Sequence, residues 1–190
     1  MSTRTRLPLL LLLAAALLLP AAGAAHAQRR EHLTAEEIEL IRDNQELDKR
    51  TAVFVKAAER RLLAITDPAG AARQFEKEKE KWGEVKGTRA QLVYDLSKIL
   101  DEAVVNIDDV HERAPESPLL RRALFNLAEA AGRFLPRLTP LRDSTEDERE
   151  RETLERAIEA AQEIVEAARA HKVSADDLKA KDERKGKKGN

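Results

Sequence analysis

The sequence predicts an all-α protein, an antiparallel up-down four-helix bundle, and three observations support this fold class. Apolar residues recur at three- and four-residue spacing in four long segments, which is the period of an amphipathic helix. Residues that favour helix starts stand directly before these segments. No segment alternates apolar and polar residues as a strand does. Because each helix carries one apolar stripe, the four should share a single core.

Start and stop signals set approximate bounds for each helix. The four predicted helices cover about 35–65, 89–111, 118–135 and 146–170. The predicted caps are Thr34 with Glu37, Thr88 with Gln91, Ser117 before Pro118, Thr145 with Glu148 and Ser174 with Asp177. Pro136 and Pro140 are expected to end the third helix, since proline lacks the amide hydrogen that continues a helix.

Residues 67–87 form a charged connector between the first two helices. Asp67 and Pro68 are a weak helix start, and Phe75 and Trp82 stand seven residues apart, so a short helix could lay both rings on the bundle. The rest of the segment is mostly charged. We therefore expect a short, partly helical and mobile connector.

The first 27 residues are typical of a secretory signal peptide. Arg4 and Arg6 precede an apolar run over 7–19, Pro20 ends it, and Ala-His-Ala at 25–27 fits a cleavage site. The run is shorter than the roughly 20 residues that span a bilayer. We expect cleavage before Gln28, no transmembrane segment afterwards, and an exported protein in the periplasm or outside the cell. The remaining chain should form one helical domain over 28–178.

The last residues, 179–190, are basic and rich in glycine, so they are expected to be disordered. A solvated tail is the favoured interpretation. The alternative is a weak electrostatic contact with an anionic envelope surface.

Composition excludes several kinds of chemistry. Two of the 34 basic residues lie in the first 27, which leaves 32 basic against 35 acidic residues and a formal charge of −3. A nucleic-acid partner is not expected without a concentrated basic face. The chain has no cysteine, and its one methionine is Met1. These absences exclude thiol catalysis, cysteine zinc sites and methionine metal ligands, so we expect no enzyme activity, cofactor or metal.

A polar layer interrupts the apolar stripe of the first helix. Asn44, Asp48 and Thr51 share a face with Leu47 and Val55. Antiparallel packing at equal rise places residues of the next two helices at the same level. The predicted layer consists of Asn44, Asp48, Thr51, Asn106, His111 and Arg122.

Two interpretations of this layer remain open. The favoured one is structural, because a buried carboxylate needs a partner and the pairing fixes the register of the helices. The alternative is a pocket for a small ligand or a metal. Asp108 and His111 resemble half of the E-x-x-H arrangement of bundle di-iron proteins, but no second pair occurs, which argues against a metal.

The stretch LTAEE at 33–37 resembles the L-T-x-x-Q motif of the small periplasmic helical stress chaperones. Glu37 stands where that motif has glutamine, and LTPLR at 138–142 departs from it further. The resemblance covers five residues, so it does not assign the chain to that family.

The sequence thus favours a structural or protein-interaction module of the bacterial periplasm or envelope, with an unknown protein partner or self-association. One alternative is a stress or chaperone-like helical protein, and another is a small-ligand or metal-binding bundle that uses the polar layer. A surplus apolar patch would favour the first and a concave apolar surface the second. A cavity lined by Asp48 and His111 would favour the third.

Overall fold

The computed structural model describes residues 31–177, which lie in one compact unit and contain six helices and no strand. The helices are α1 (Ala35–Asp43), α2 (Leu47–Thr66), α3 (Pro68–Trp82), α4 (Arg89–Arg113), α5 (Pro118–Ser144) and α6 (Glu148–Ala170). The predicted signal peptide, 1–27, and the predicted tail, 179–190, lie outside the described residues. The all-α class is confirmed, but the count of four helices was too low.

The predicted first helix is divided at Asn44. The side-chain Nδ2 of Asn44 donates to the carbonyl of Leu40 at 2.6 Å, and the backbone of Asn44 is extended. Arg50 then donates to the carbonyls of Asn44 and Gln45 at 3.1 and 3.3 Å. A single helix over 35–65 was therefore wrong, because these side chains satisfy the backbone groups that a continuous helix would have paired.

Helix α5 continues through both of its prolines to Ser144, so the predicted stop at Pro136 was also wrong. Pro136 and Pro140 are exposed, whereas Phe134 and Leu138 on the same helix are buried. Each proline removes one backbone hydrogen bond, but the apolar stripe continues past them into the core. Burial of that stripe offsets the lost bonds.

Local caps explain most of the remaining helix starts. Capping boxes form at Thr34 with Glu37 and at Thr88 with Gln91. At α6 the cap is Asp147 rather than Thr145, since Asp147 accepts from the amides of Arg149 and Glu150. The longer α5 leaves Thr145 at its own C-terminal end, and α6 begins at Glu148, two residues later than predicted.

The four long helices surround one apolar core. Helix α2 packs against α4 and α5, and α6 packs against the same two helices. Helices α4 and α5 follow each other in the chain but contact each other less than they contact α2 and α6. Fully buried residues from all four helices meet in the centre, namely Leu62, Leu96, Leu127 and Leu154.

Contacts between side chains show the relative directions of the helices. Arg50 near the start of α2 bonds Asn106 near the end of α4 at 3.1 Å, so these helices are antiparallel. Glu59 of α2 pairs with Arg133 of α5 at 2.9 Å, and Thr66 lies further along against Arg137, so α2 and α5 run in the same direction. None of the described helices is long and apolar enough to cross a membrane.

Candidate functional site

Asp48 of the predicted polar layer is paired inside the protein. It lies in the first turn of α2 with 5 % of its surface exposed, and its Oδ2 is 2.8 Å from Nη1 of Arg122 on α5. The first turn of a helix favours a carboxylate, because the helix dipole is positive there. The ion pair connects the N-terminal ends of the neighbouring parallel helices α2 and α5.

Asn44 and Asn106 are connected through Arg50, which is not a member of the predicted polar layer. Nη1 of Arg50 donates to the side-chain oxygen of Asn106 at 3.1 Å, and Nε donates to the carbonyl of Asn44, also at 3.1 Å. Thr51 is fully buried beside this layer, and its hydroxyl has no hydrogen-bond partner among the described residues. No clear sequence signal marked Arg50, since an arginine on a helix flank is usually at the surface.

His111 lies away from this layer. It is exposed, and its ring centroid is 6.4 Å from that of His171, with the rings edge to face. His111 lies five positions after Asn106 on α4, which corresponds to a net rotation of about 140° around the helix axis. The two side chains therefore cannot both face α2. Within 31–177, no three His, Asp or Glu side chains gather as a metal site would require.

The two histidines instead lie at an apolar groove of about 620 Å³. The groove opens between the C-terminal halves of α4 and α6, and the N-terminal half of α5 forms its floor. Its apolar lining consists of Val104, Val105, Ile107, Leu120, Leu124, Leu127, Ala160, Ile164, Ala167 and Val173, with Pro115 at one end. Val105 is 62 % exposed, which is unusual for a residue of this type in a folded domain.

The groove follows from the sizes of the side chains on its walls. Helix α6 contributes Ala160 and Ala167 to the lining of the groove, and α4 contributes Val104 and Val105. Two methyl groups do not reach across the space that larger side chains would fill. Apolar surface is left open to solvent as a result.

Unpaired carboxylates surround the groove. Asp108, Glu116 and Glu163 line it and have no ion-pair partner among the described residues. A fourth carboxylate, Asp101, pairs with Lys98 at 2.9 Å. The rim therefore presents negative charge around an apolar floor.

The arginine on the rim is already engaged. Arg121 donates to the two carboxylate oxygens of Asp177 at 2.6 and 3.2 Å, and to the carbonyls of His171 and Lys172 at 3.0 and 2.9 Å. The hydrogen bond from Arg121 holds the pKa of Asp177 below its usual value, and it raises the pKa of Arg121. Arg121 fixes the turn after α6 at the edge of the groove and does not neutralise the other carboxylates.

A second buried ionic cluster was not predicted from the sequence. Glu37, Arg60 and Arg61 are each at most 2 % exposed, and Oε1 of Glu37 accepts from Arg60 at 2.6 Å and from Arg61 at 2.5 Å. A usable signal existed, because Arg61 lies four residues from both Ala57 and Ile65 on the apolar stripe of α2. The sequence pattern predicts Glu37 only as a capping residue.

This cluster joins three parts of the chain. Arg60 also donates to the carbonyls of Trp82 and Gly83 at 2.7 and 2.6 Å, and its guanidinium lies 4.7 Å from the ring centre of Phe75. Burial lowers the pKa of Arg60, and the charge of Glu37 opposes that shift. The cluster thereby fixes α1 and the end of α3 on α2, so the highly charged α3 is held by contacts that its sequence alone does not reveal.

No known protein family, curated protein or solved structure matches the chain. Its class is therefore described from its own fold and site: it is an all-α protein with an apolar groove bordered by carboxylates.

Proposed function

We propose that this chain is an exported, non-catalytic helical protein of the bacterial periplasm or envelope that binds a partner through the groove between α4 and α6. In this proposal the four long helices form a four-helix bundle, with α1 and α3 attached to one side. The observation that carries the proposal is the groove itself. Its volume is within the range of roughly 300 to 1,000 Å³ that is common for ligand sites.

Binding is favoured over catalysis by the way the charged groups are used. The buried carboxylates are paired, Asp48 with Arg122 and Glu37 with Arg60. The groove contributes an apolar surface with carboxylates only at its rim. Such a surface holds a molecule by apolar contact and charge, and it offers no nucleophile held beside a general base.

A chaperone-like role is the second candidate, and the concave apolar shape of the groove favours it. A volume of about 620 Å³ accommodates only a few side chains, however, which suits a defined segment better than many unfolded clients. The third interpretation, a ligand pocket in the polar layer, has less support. Asp48 is paired with Arg122, and Asp48 is not among the residues that line the groove.

Export can be tested from the N-terminus of the protein. We expect that mass spectrometry of the chain recovered from the producing cell will show a first residue at or close to Gln28, because the pattern at 25–27 fits signal peptidase cleavage. A mature pool that still begins with Met1 would contradict export.

Occupancy of the groove can be tested with an uncharged apolar dye, N-phenyl-1-naphthylamine. Its fluorescence should rise on binding to the purified protein, and Ala160→Phe should weaken binding at least about tenfold, because a phenyl ring fills space that the dye needs. The control is Ala52→Phe, at an exposed position of α2 that does not line the groove. Equal dye affinity in all three proteins would overturn the groove as the binding site.

A further inference from the structure

We propose that the partner presents a basic amphipathic helix, which lies along the groove between α4 and α6. This inference rests on the proposed function and specifies the class of partner. Three features of the described residues support it: the length of the concave surface, the division of that surface into apolar and polar parts, and the sign of its unpaired charge.

The concave surface extends well beyond the apolar groove. A second depression of about 340 Å³ lies between α4 and α6 and shares Asp101, Ala160 and Glu163 with the groove. The two depressions together follow α4 from Tyr94 to His111. These eighteen residues span seventeen helical steps, or about 25 Å at 1.5 Å per step, which is the length of a five-turn helical segment.

The two depressions differ in chemistry. The first is apolar, whereas hydroxyl and charged groups line the second, among them Tyr94, Thr153 and Glu159. Helices that bind in grooves place an apolar stripe at i, i+3, i+4 and i+7 in the apolar part and keep polar residues at its edges. Tyr94 is 47 % exposed and can add the aromatic contact that is common at binding hot spots.

The unpaired charge on this surface is negative. Asp108, Glu116, Glu159 and Glu163 line the two depressions and have no ion-pair partner among residues 31–177. The cations nearby are already paired: Lys98 with Asp101 at 2.9 Å, Arg156 with Glu152 at 3.8 Å, and Arg121 with Asp177 at 2.6 Å. A lysine- or arginine-rich helix would therefore find complementary charge, and an acidic helix would be repelled.

Three synthetic 18-residue peptides test this inference on the chain as it is recovered from the producing cell. One is an amphipathic helix of leucine and lysine, the second has glutamate in place of lysine, and the third has the composition of the first in an order without helical period. Titration followed by fluorescence anisotropy should show that the first peptide binds at least about tenfold more tightly than either of the others, and that salt weakens this binding.

A charge variant locates the contact. Asp108→Asn combined with Glu163→Gln should weaken binding of the leucine–lysine peptide about tenfold, because it removes two of the negative charges at the groove. The matched control is Glu76→Gln combined with Glu80→Gln, two exposed carboxylates of α3. This control should bind the peptide as the unmodified protein does.

The outcomes separate the two proposals. Dye binding without preference among the peptides would overturn the basic helix and leave the groove as a binding site. An equal loss of peptide binding in the two charge variants would also overturn the inference. Equally tight binding of dodecylammonium at the same site would replace the helix with a small cationic amphiphile. Failure of both dye and peptides to bind would overturn the proposed function as well.

Discussion

Glu37→Ala is expected to lower the free energy of unfolding by about 3 to 5 kcal/mol, which is the usual effect of removing one partner from a buried ionic cluster. Glu37 is fully buried and accepts from both Arg60 and Arg61. Its removal leaves two buried guanidinium groups close together without the carboxylate that they share. Denaturant unfolding followed by circular dichroism measures the change in the midpoint.

A second glutamate of the same helix is the control for this prediction. Glu39 is exposed and pairs with the exposed Arg42, so Glu39→Ala should change stability by less than about 0.5 kcal/mol. Similar midpoints for Glu37→Ala and Glu39→Ala would show that the cluster does not stabilise the fold. Glu37→Gln separates charge from hydrogen bonding, because it keeps an acceptor for one arginine and removes the negative charge.

Asp48→Ala is expected to lower the free energy of unfolding by about 1 to 3 kcal/mol, because it leaves Arg122 without its partner. The effect should be smaller than for Glu37, since the side chain of Arg122 is 16 % exposed and water can solvate it in part. Arg122→Ala and the double mutant complete a thermodynamic cycle. The double mutant should lose clearly less than the sum of the two single changes.

Two further variants control this cycle. His111→Ala should be within about 0.5 kcal/mol of the unmodified protein, because His111 is exposed and is not paired with Asp48. Asp43→Ala, at the exposed end of α1, should be similarly mild. If Asp48→Ala were neutral or stabilising, the structural interpretation of the layer would fail, and Asp48 would become a candidate for ligand binding.

Part of the candidate site followed from helical period and register. Asp48 stands on an apolar stripe, and the register of the next two helices placed Arg122 at the same level; in the structure their side chains form an ion pair. The same reasoning failed for His111, because register predicts the level along a bundle and not the rotation around α4. It also did not predict the burial of Arg61, although Arg61 stands on the apolar stripe of α2.

The groove could not be predicted from helical period and register. Its existence depends on which side chains of α4, α5 and α6 become neighbours, and on small residues there that leave space between the helices. Ala160 and Ala167 are ordinary helix residues in the sequence. Only the packing of α6 beside α4 and α5 makes them walls of a groove.

The sequence by itself determined the helices, because their signals are local: the apolar period, the caps at Thr34 and Thr88, and the absence of strand patterns. Tertiary contacts determined where the helices depart from those local signals. Burial of Leu138 carried α5 past its prolines, and contacts from Arg50 held the chain in its turn at Asn44. Tertiary structure also placed Glu37 beside Arg60 and Arg61, and it left a groove between α4 and α6. The ionic cluster and the groove both depend on which distant residues become neighbours in the folded chain.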